Sequence, residues 1–148
     1  MQGSQRLVLA HFWAAFVALA FAVPLGAWQM LARSPLHPWV DPGRYYAAVT
    51  AHGTTLAYVF PTLVAMGFGY AVCAVSLGRP MHGMRLAWAS LWLVLAGAAI
   101  AIATVAAGRA TVLYTFYPPL LGSAWYYLGV LVAVAGSWIW IGLMVTHF

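Results

Sequence analysis

Residues 45–77, YYAAVTAHGTTLAYVFPTLVAMGFGYAVCAVSL, decide the fold, because they form an apolar run long enough to cross a bilayer with a single histidine inside it. An ionisable side chain at membrane depth has no water to bind, so it is a functional-site candidate by default. A neutral imidazole commonly binds a metal, which makes His52 the first candidate ligand. Its neighbour Gly53 lacks a side chain where something must approach closely.

A helical run 45–77 would place one ligand within an apolar and aromatic face. Positions spaced by three, four and seven residues project in a common direction. They are Tyr45, His52, Leu56, Val59, Leu63, Met66 and Tyr70. Such a face suits the flat ring of a heme, which needs an axial base at one point and apolar walls elsewhere. The alternative is a packing face in which His52 is hydrogen-bonded.

Composition assigns the chain to the integral membrane proteins. Of its 148 residues 66% are hydrophobic, and the charged side chains are six arginines and Asp41. A soluble domain carries about a quarter charged residues. The net charge of +5 reflects arginines in short loops that meet headgroups and anionic lipid, so membrane lipid is the expected partner and nucleic acid is not. The lone Cys73 excludes an intrachain disulfide, and without Cys-x-x-Cys-His a heme would be held without thioether bonds.

Four apolar runs predict four transmembrane helices. They cover residues 7–31, 46–77, 86–107 and 125–148, each close to the roughly 20 residues that cross a bilayer. We expect an all-α polytopic membrane protein, an antiparallel four-helix bundle forming a single transmembrane domain over 1–148. The first run has a rival interpretation as a signal peptide. Trp13 and Trp28 near its ends instead favour a span with interfacial anchors.

Helix shape and orientation are less strongly determined. Pro24 and Pro61 lie inside spans and predict bends, and the long second run predicts a tilted or projecting helix. The arginines divide evenly between the two sides: Arg6, Arg79 and Arg85 against Arg33, Arg44 and Arg109. The free amino group and the offsetting Asp41 favour a cytoplasmic amino terminus.

The loop before the fourth run is the second informative stretch. Residues 110–120 read ATVLYTFYPPL and are rich in tyrosine. An interfacial aromatic belt would account for them, with Pro118 and Pro119 preparing the start of the fourth span. Together with His52-Gly53 and the four-span layout, however, this segment resembles the amino-terminal part of subunit I of heme-copper terminal oxidases, and is most similar to the B-type, ba-like cytochrome c oxidases. The resemblance runs through essentially the whole chain.

The resemblance implies a role for each matched residue. His52 would be one of two axial ligands of a low-spin, non-covalent b-type heme in a bacterial or archaeal cytoplasmic membrane, with Gly53 and Tyr45 beside the cofactor. Tyr114 and Tyr117 would lie near the hemes on the outer side, where electrons arrive from subunit II, with Tyr117 along the oxygen route. His52 and this loop fall on the same membrane side.

The departure from the family pattern limits what this chain does alone. Family members have about a dozen spans, and the second heme ligand and the copper histidines lie beyond the fourth. Copper is therefore not expected here, nor oxygen reduction by this chain alone. The end at Phe148 suggests a truncated reading frame, a split gene or an oxidase-derived small protein. Two functions stay open. In the first, the chain is a heme-binding part of a cytochrome c oxidase that the remaining spans or subunits complete. In the second, it is a free-standing membrane heme protein, such as a homodimer that holds one heme between two copies of His52.

The other histidines have simpler expected roles. His37 and His82 fall in loops and are expected to be solvated or to contact headgroups. His11 and His147 would lie near the same membrane face, where a shared site is the alternative to separate hydrogen bonds between helices. A transporter is disfavoured because no span carries an acidic residue.

Overall fold

The computed structural model describes residues 2–35, 40–78 and 82–147, and over these ranges the chain is helical with no strand. The helices are α1 (Gln2–Ala32), α2 (Pro42–Thr54), α3 (Phe60–Leu77), α4 (Met84–Ala106) and α5 (Ala124–His147). A π-helical turn, Thr55–Val59, joins α2 to α3, so that Pro42–Leu77 runs as one long helix. Within these ranges four helices are thus long and apolar enough to cross a membrane, which confirms the predicted fold class.

Each spanning helix begins one to five residues before its predicted limit, mostly because polar residues continue it beyond the apolar run, and ends within one residue of that limit. The clearest case is the second span, which begins at Pro42 and not at residue 46. Asp41 caps this helix by accepting a hydrogen bond from the backbone N–H of Arg44 at 2.9 Å, and Pro42 occupies the first turn, where its missing N–H costs nothing. These are ordinary start signals that hydropathy alone overlooks.

Alternating helix direction gives the bundle two ends. We call one of them the terminal end; there α1 and α4 begin and α3 and α5 end. We call the other the loop end; there α1 and α4 end, α2 and α5 begin, and the segment 107–123 lies. His52 lies in the half of the second span nearer the loop end, so it shares that end with the tyrosine-rich loop, as predicted.

α4 and α5 approach each other backbone to backbone through glycines. A methyl group at Gly97 would lie 2.4 Å from the carbonyl oxygen of Gly129 and from the nitrogen of Ala133. A methyl group at Gly136 would lie 2.7 Å from the carbonyl oxygen of Ser90. Small residues at such a seam let helices gain van der Waals contact in a medium that supplies no hydrophobic drive between them. α4 is therefore a packing helix.

α1 and α3 form the other half of the core. Leu63, Met66 and Tyr70 are fully buried and pack with residues of α1 that include Leu7. Three members of the predicted heme face are therefore core residues within this chain. The part of that face open to a further ligand lies nearer His52.

The π turn follows from Pro61. The N–H of Phe60 bonds to the carbonyl of Thr55, five residues back, in place of the usual four. Proline at position 61 has no N–H, and its ring would clash with the carbonyl of Ala57 in a regular helix. Widening the preceding turn removes the clash, and such turns frequently occur at functional sites.

We predict that Gly97→Ala lowers the free energy of unfolding by about 1 to 3 kcal/mol, because the new methyl group overlaps backbone atoms that cannot move independently. Unfolding in mixed micelles followed by circular dichroism would measure this. Gly142→Ala is the matched control, since nothing lies within 4 Å of a methyl group there and alanine favours a helix over glycine. Equal stability of the two variants would contradict the packing described.

Candidate functional site

The imidazole of His52 is oriented by the backbone of α1. Its Nδ1 lies 2.9 Å from the carbonyl oxygen of Ala22, and a carbonyl can only accept, so Nδ1 carries the proton. The neutral ring then has its lone pair on Nε2. Histidines that bind metals commonly donate their other N–H to a carbonyl in this way, which fixes the tautomer and raises the basicity of the ligand nitrogen.

Gly26 makes room for this ring. A methyl group at Gly26 would stand 2.6 Å from Cε1 of His52, 3.1 Å from Nδ1 and 3.3 Å from Nε2. Glycine at this position therefore lets the Cε1 edge of the imidazole reach α1, one turn from the carbonyl that it binds. Neither Ala22 nor Gly26 was predicted from the sequence, because a contact between two spans depends on their relative register.

A second polar contact holds the same two helices together. The Gln29 side-chain amide donates to the carbonyl of Ala48 at 3.4 Å, a weak bond. Ala48 and His52 lie one turn apart on α2 and face α1 together. Two hydrogen bonds thus join span one to span two near the loop end, and the bond of His52 lies one turn further into the span than the bond of Ala48.

Gly53 is also approached closely, and the ring that approaches it belongs to Tyr114. A methyl group at Gly53 would lie 2.6 Å from Cδ1 of Tyr114 and 3.1 Å from its Cβ. The sequence prediction placed both residues beside a cofactor; the structure places them against each other. Gly53 and His52 are consecutive, so the tyrosine-rich loop is positioned directly by the residue next to the candidate ligand.

The opposite side of the second span carries a polar stripe that fastens this loop. Thr50 Oγ1 accepts a hydrogen bond from the Leu113 N–H at 3.0 Å, and the Tyr58 hydroxyl donates to the Tyr114 carbonyl at 2.7 Å. Between them the hydroxyls of Thr54 and Tyr126 bond at 2.7 Å, tying the span to α5. Spacing by four puts Thr50, Thr54 and Tyr58 on one face, and that face is roughly opposite His52.

Within the loop, backbone pairing and stacked rings define the shape. The Thr111 N–H donates to the Leu121 carbonyl at 3.1 Å, and the Ser123 N–H donates to the Arg109 carbonyl at 2.9 Å. The first and last segments of the loop therefore run side by side. The ring of Phe116 stacks on Tyr58 at 6.2 Å between centroids. Pro118 and Pro119 lie in this loop, ahead of α5, which begins at Ala124, one residue before the predicted fourth span.

Tyr45 and Tyr117 occupy different surroundings from His52. Tyr45 lies two turns nearer the loop end, where its hydroxyl accepts a hydrogen bond from Arg33 Nε and its ring lies 5.5 Å from that guanidinium. Tyr117 is 66% exposed, and its hydrogen bonds run through its backbone. The structure therefore brings together His52, Gly53 and Tyr114, and leaves Tyr45 and Tyr117 at the edge of this group.

The remaining histidines lie away from His52. His11 is fully buried against Tyr70, with Nδ1 2.8 Å from the Leu7 carbonyl, and His147 pairs with His82 at the terminal end. His147 thus has His82 as a partner, and His82 has a protein partner in place of solvation alone. A shared His11–His147 site stays a prediction. His37 lies outside the described residues. Across the described ranges no cluster of three or more His, Cys, Asp or Glu is arranged to hold a metal.

A cavity of about 270 Å³ lies among the second span, α4 and α5, and it does not include His52. Its walls are almost wholly apolar and include Tyr58, Val94, Gly97, Phe116 and Ala133. It borders the polar stripe, so the two sides of the second span have separate environments.

Comparison with known proteins places the whole helical region in one group. The family model "Cytochrome C and Quinol oxidase polypeptide I" matches residues 6–148. The chain is 37% identical over 138 residues to cytochrome c oxidase subunit 1 of Thermus thermophilus, covering 93% of this chain and 23% of that protein. A cryo-EM structure of a heme-copper terminal oxidase dimer superposes with a TM-score of 0.85 at 31% identity, covering 98% of this chain and 26% of that one. The chain spans about a quarter of the length of these relatives.

We predict that Thr50→Val speeds hydrogen exchange of the Leu113 amide about tenfold, the effect of losing a hydrogen bond worth about 1.4 kcal/mol. Exchange followed by mass spectrometry would measure it. Thr146→Val is the matched control, since that hydroxyl bonds only to carbonyls of its own helix. Unchanged exchange at Leu113 would show that Thr50 does not hold the loop.

Proposed function

Since the chain belongs to the cytochrome c and quinol oxidase polypeptide I family, we propose that it forms the part of a heme-copper oxidase in which His52 is an axial ligand of the low-spin heme. The chain is an integral membrane protein, and its family implies heme. What we propose beyond this is which residue holds the heme, the spin state of its iron and the path of the electrons.

One observation carries it: His52 Nδ1 is bonded to the Ala22 carbonyl, which leaves the Nε2 lone pair for iron. Among the described residues Nε2 has no hydrogen-bond partner of its own. The ring is half-buried at a span surface, where an apolar cofactor and water-free surroundings are compatible. Gly26 has no side chain to crowd the ring.

The residues present fit one side of a heme and not both. A low-spin iron requires two strong ligands, and the other described histidines lie elsewhere, with His82 and His147 paired at the terminal end. His11, for comparison, stands eleven residues from Ala22 along α1, roughly 16 Å. We propose that the second ligand comes from the rest of the oxidase, beyond these four spans, and that subunit II or the remaining spans are the partners.

A heme bound at His52 would supply one-electron transfer, and this chain's residues would orient the ligand and exclude water. The missing Cys-x-x-Cys-His motif supports non-covalent binding, and we propose that the heme is b-type. Arg33, Arg44 and Arg109 are exposed at the loop end, where guanidinium groups are suited to bind propionates. We also propose that the loop end faces outward and the amino terminus the cytoplasm; a cytoplasmic location of residues 107–123 in reporter fusions would overturn this orientation.

The second candidate function is a free-standing heme protein in which two copies of this chain each contribute His52. The related oxidase structure is a dimer, and here bulky apolar side chains such as Trp13 and Trp138, 69% and 71% exposed, face outward and can contact lipid or another chain. The two functions differ in what completes the site.

We predict that His52→Ala abolishes heme binding, because it removes an axial base without disturbing the buried core. Heme per protein after purification, with the reduced visible spectrum, would measure this in the chain expressed alone and together with the rest of an oxidase subunit I. His37→Ala and His82→Ala are controls and should retain heme.

Full heme content and an unchanged spectrum in His52→Ala would leave His52 as a hydrogen-bonded packing residue. Heme binding only on co-expression would support the oxidase assignment. Binding by the chain alone as a dimer would support the free-standing protein.

A further inference from the structure

His82 and His147 form a pair at the terminal end, far from the candidate heme ligand. Their Nδ1 atoms are 2.8 Å apart, and their ring centroids lie 4.4 Å apart with the planes tilted by 39°. His147 is buried at the end of α5, whereas His82 is exposed just before α4. The two residues are 65 positions apart in sequence, and the function proposed above makes no use of them.

The pair is built by the packing of α4 on α5. Gly83, at φ +69°, turns the chain into α4, and a methyl group there would stand 2.8 Å from Cδ2 of Leu143. The antiparallel register that sets Gly136 beside Ser90 continues to Gly83 beside Leu143. His147 lies one helical turn beyond Leu143, where it meets His82, the residue before Gly83. The left-handed conformation at Gly83 therefore aims His82 at the end of α5.

We propose that His82 and His147 bind a divalent transition metal ion such as Zn²⁺ or Cu²⁺ between their Nδ1 atoms. Two imidazole nitrogens suit these ions, and not Mg²⁺ or Ca²⁺, which prefer oxygen. At tetrahedral Zn²⁺ two such nitrogens lie roughly 3.4 Å apart. The pair therefore has to open by about 0.6 Å, and the exposed His82 ring is free to move by that amount.

Metal binding replaces the hydrogen bond between the two rings. In the neutral pair one Nδ1 carries a proton and donates a hydrogen bond to the other Nδ1. On binding, the donor ring shifts its proton through solvent to its own Nε2, so both Nδ1 lone pairs face the ion and no net proton is released.

The surroundings limit the other ligands. His147 ends α5, where the helix dipole is negative and favours a cation, while His82 precedes the positive start of α4, so the two dipole contributions oppose each other. Arg85 in the first turn of α4 is exposed. The sole acidic residue, Asp41, belongs to the loop end, so water completes the coordination.

Zn²⁺ titration calorimetry on the purified full chain tests the site. We expect His82→Gln and His147→Gln each to weaken Zn²⁺ binding at least about tenfold, the scale of altering a metal site. His37→Gln is the matched control and should bind as wild type does. EPR of added Cu²⁺ should show two imidazole nitrogens in wild type and at most one in either variant of the pair.

Equal Zn²⁺ affinity in all four proteins would overturn the proposal, as would an unchanged Cu²⁺ spectrum in His82→Gln. His82 is exposed, so that variant decides the question even if replacing the buried His147 prevents folding. His52 is present in every protein compared, so metal bound there contributes equally to all. Loss of Zn²⁺ binding in these variants is independent of heme content, which keeps the test separate from the oxidase assignment.

Discussion

The hydrogen bond from His52 Nδ1 to the Ala22 carbonyl determines the chemistry available to this bundle. An imidazole inside a membrane span has two nitrogens and no water, so a backbone carbonyl on the neighbouring helix settles which nitrogen holds the proton. Gly26 lets the ring reach that carbonyl. The arrangement requires spans one and two to keep a fixed register, which the buried packing of α1 on α3 supplies.

Two opposite faces of the second span make different contacts. One side presents His52 to α1; the other carries Thr50, Thr54 and Tyr58, whose hydroxyls bind the loop and α5. In an apolar medium an unpaired hydroxyl or amide is costly, so these bonds fix the loop more firmly than the same contacts in water. Gly53 lies between the two sides and brings Tyr114 next to the candidate ligand. The π turn that follows accommodates Pro61 without interrupting the span.

Sequence patterns predicted the elements well and their partners poorly. Hydropathy located all four helices, and the conflict between a polar side chain and an apolar run singled out His52. The approach of something to Gly53 followed from its missing side chain, although the neighbour proved to be Tyr114. Ala22 and Gly26 were missed as contacts, and so was α5 as the partner of Gly97, because each contact depends on how two helices slide and rotate against each other. The His82–His147 pair was missed for the same reason: its members lie 65 residues apart, and only the register of α4 on α5 joins them.

The most direct test of this account is the protonation state of His52 in the heme-free chain. Nitrogen-15 NMR of histidine-labelled protein in nanodiscs, with His52→Ala to assign the signals, distinguishes a protonated from a bare ring nitrogen. The structure predicts a protonated Nδ1 that shows a coupling to the Ala22 carbonyl carbon, and a bare Nε2. Gly26→Ala should abolish that coupling by displacing the ring. A proton on Nε2, or a His52 ring without contact to Ala22, would contradict the account, because Nε2 would not then be available to iron.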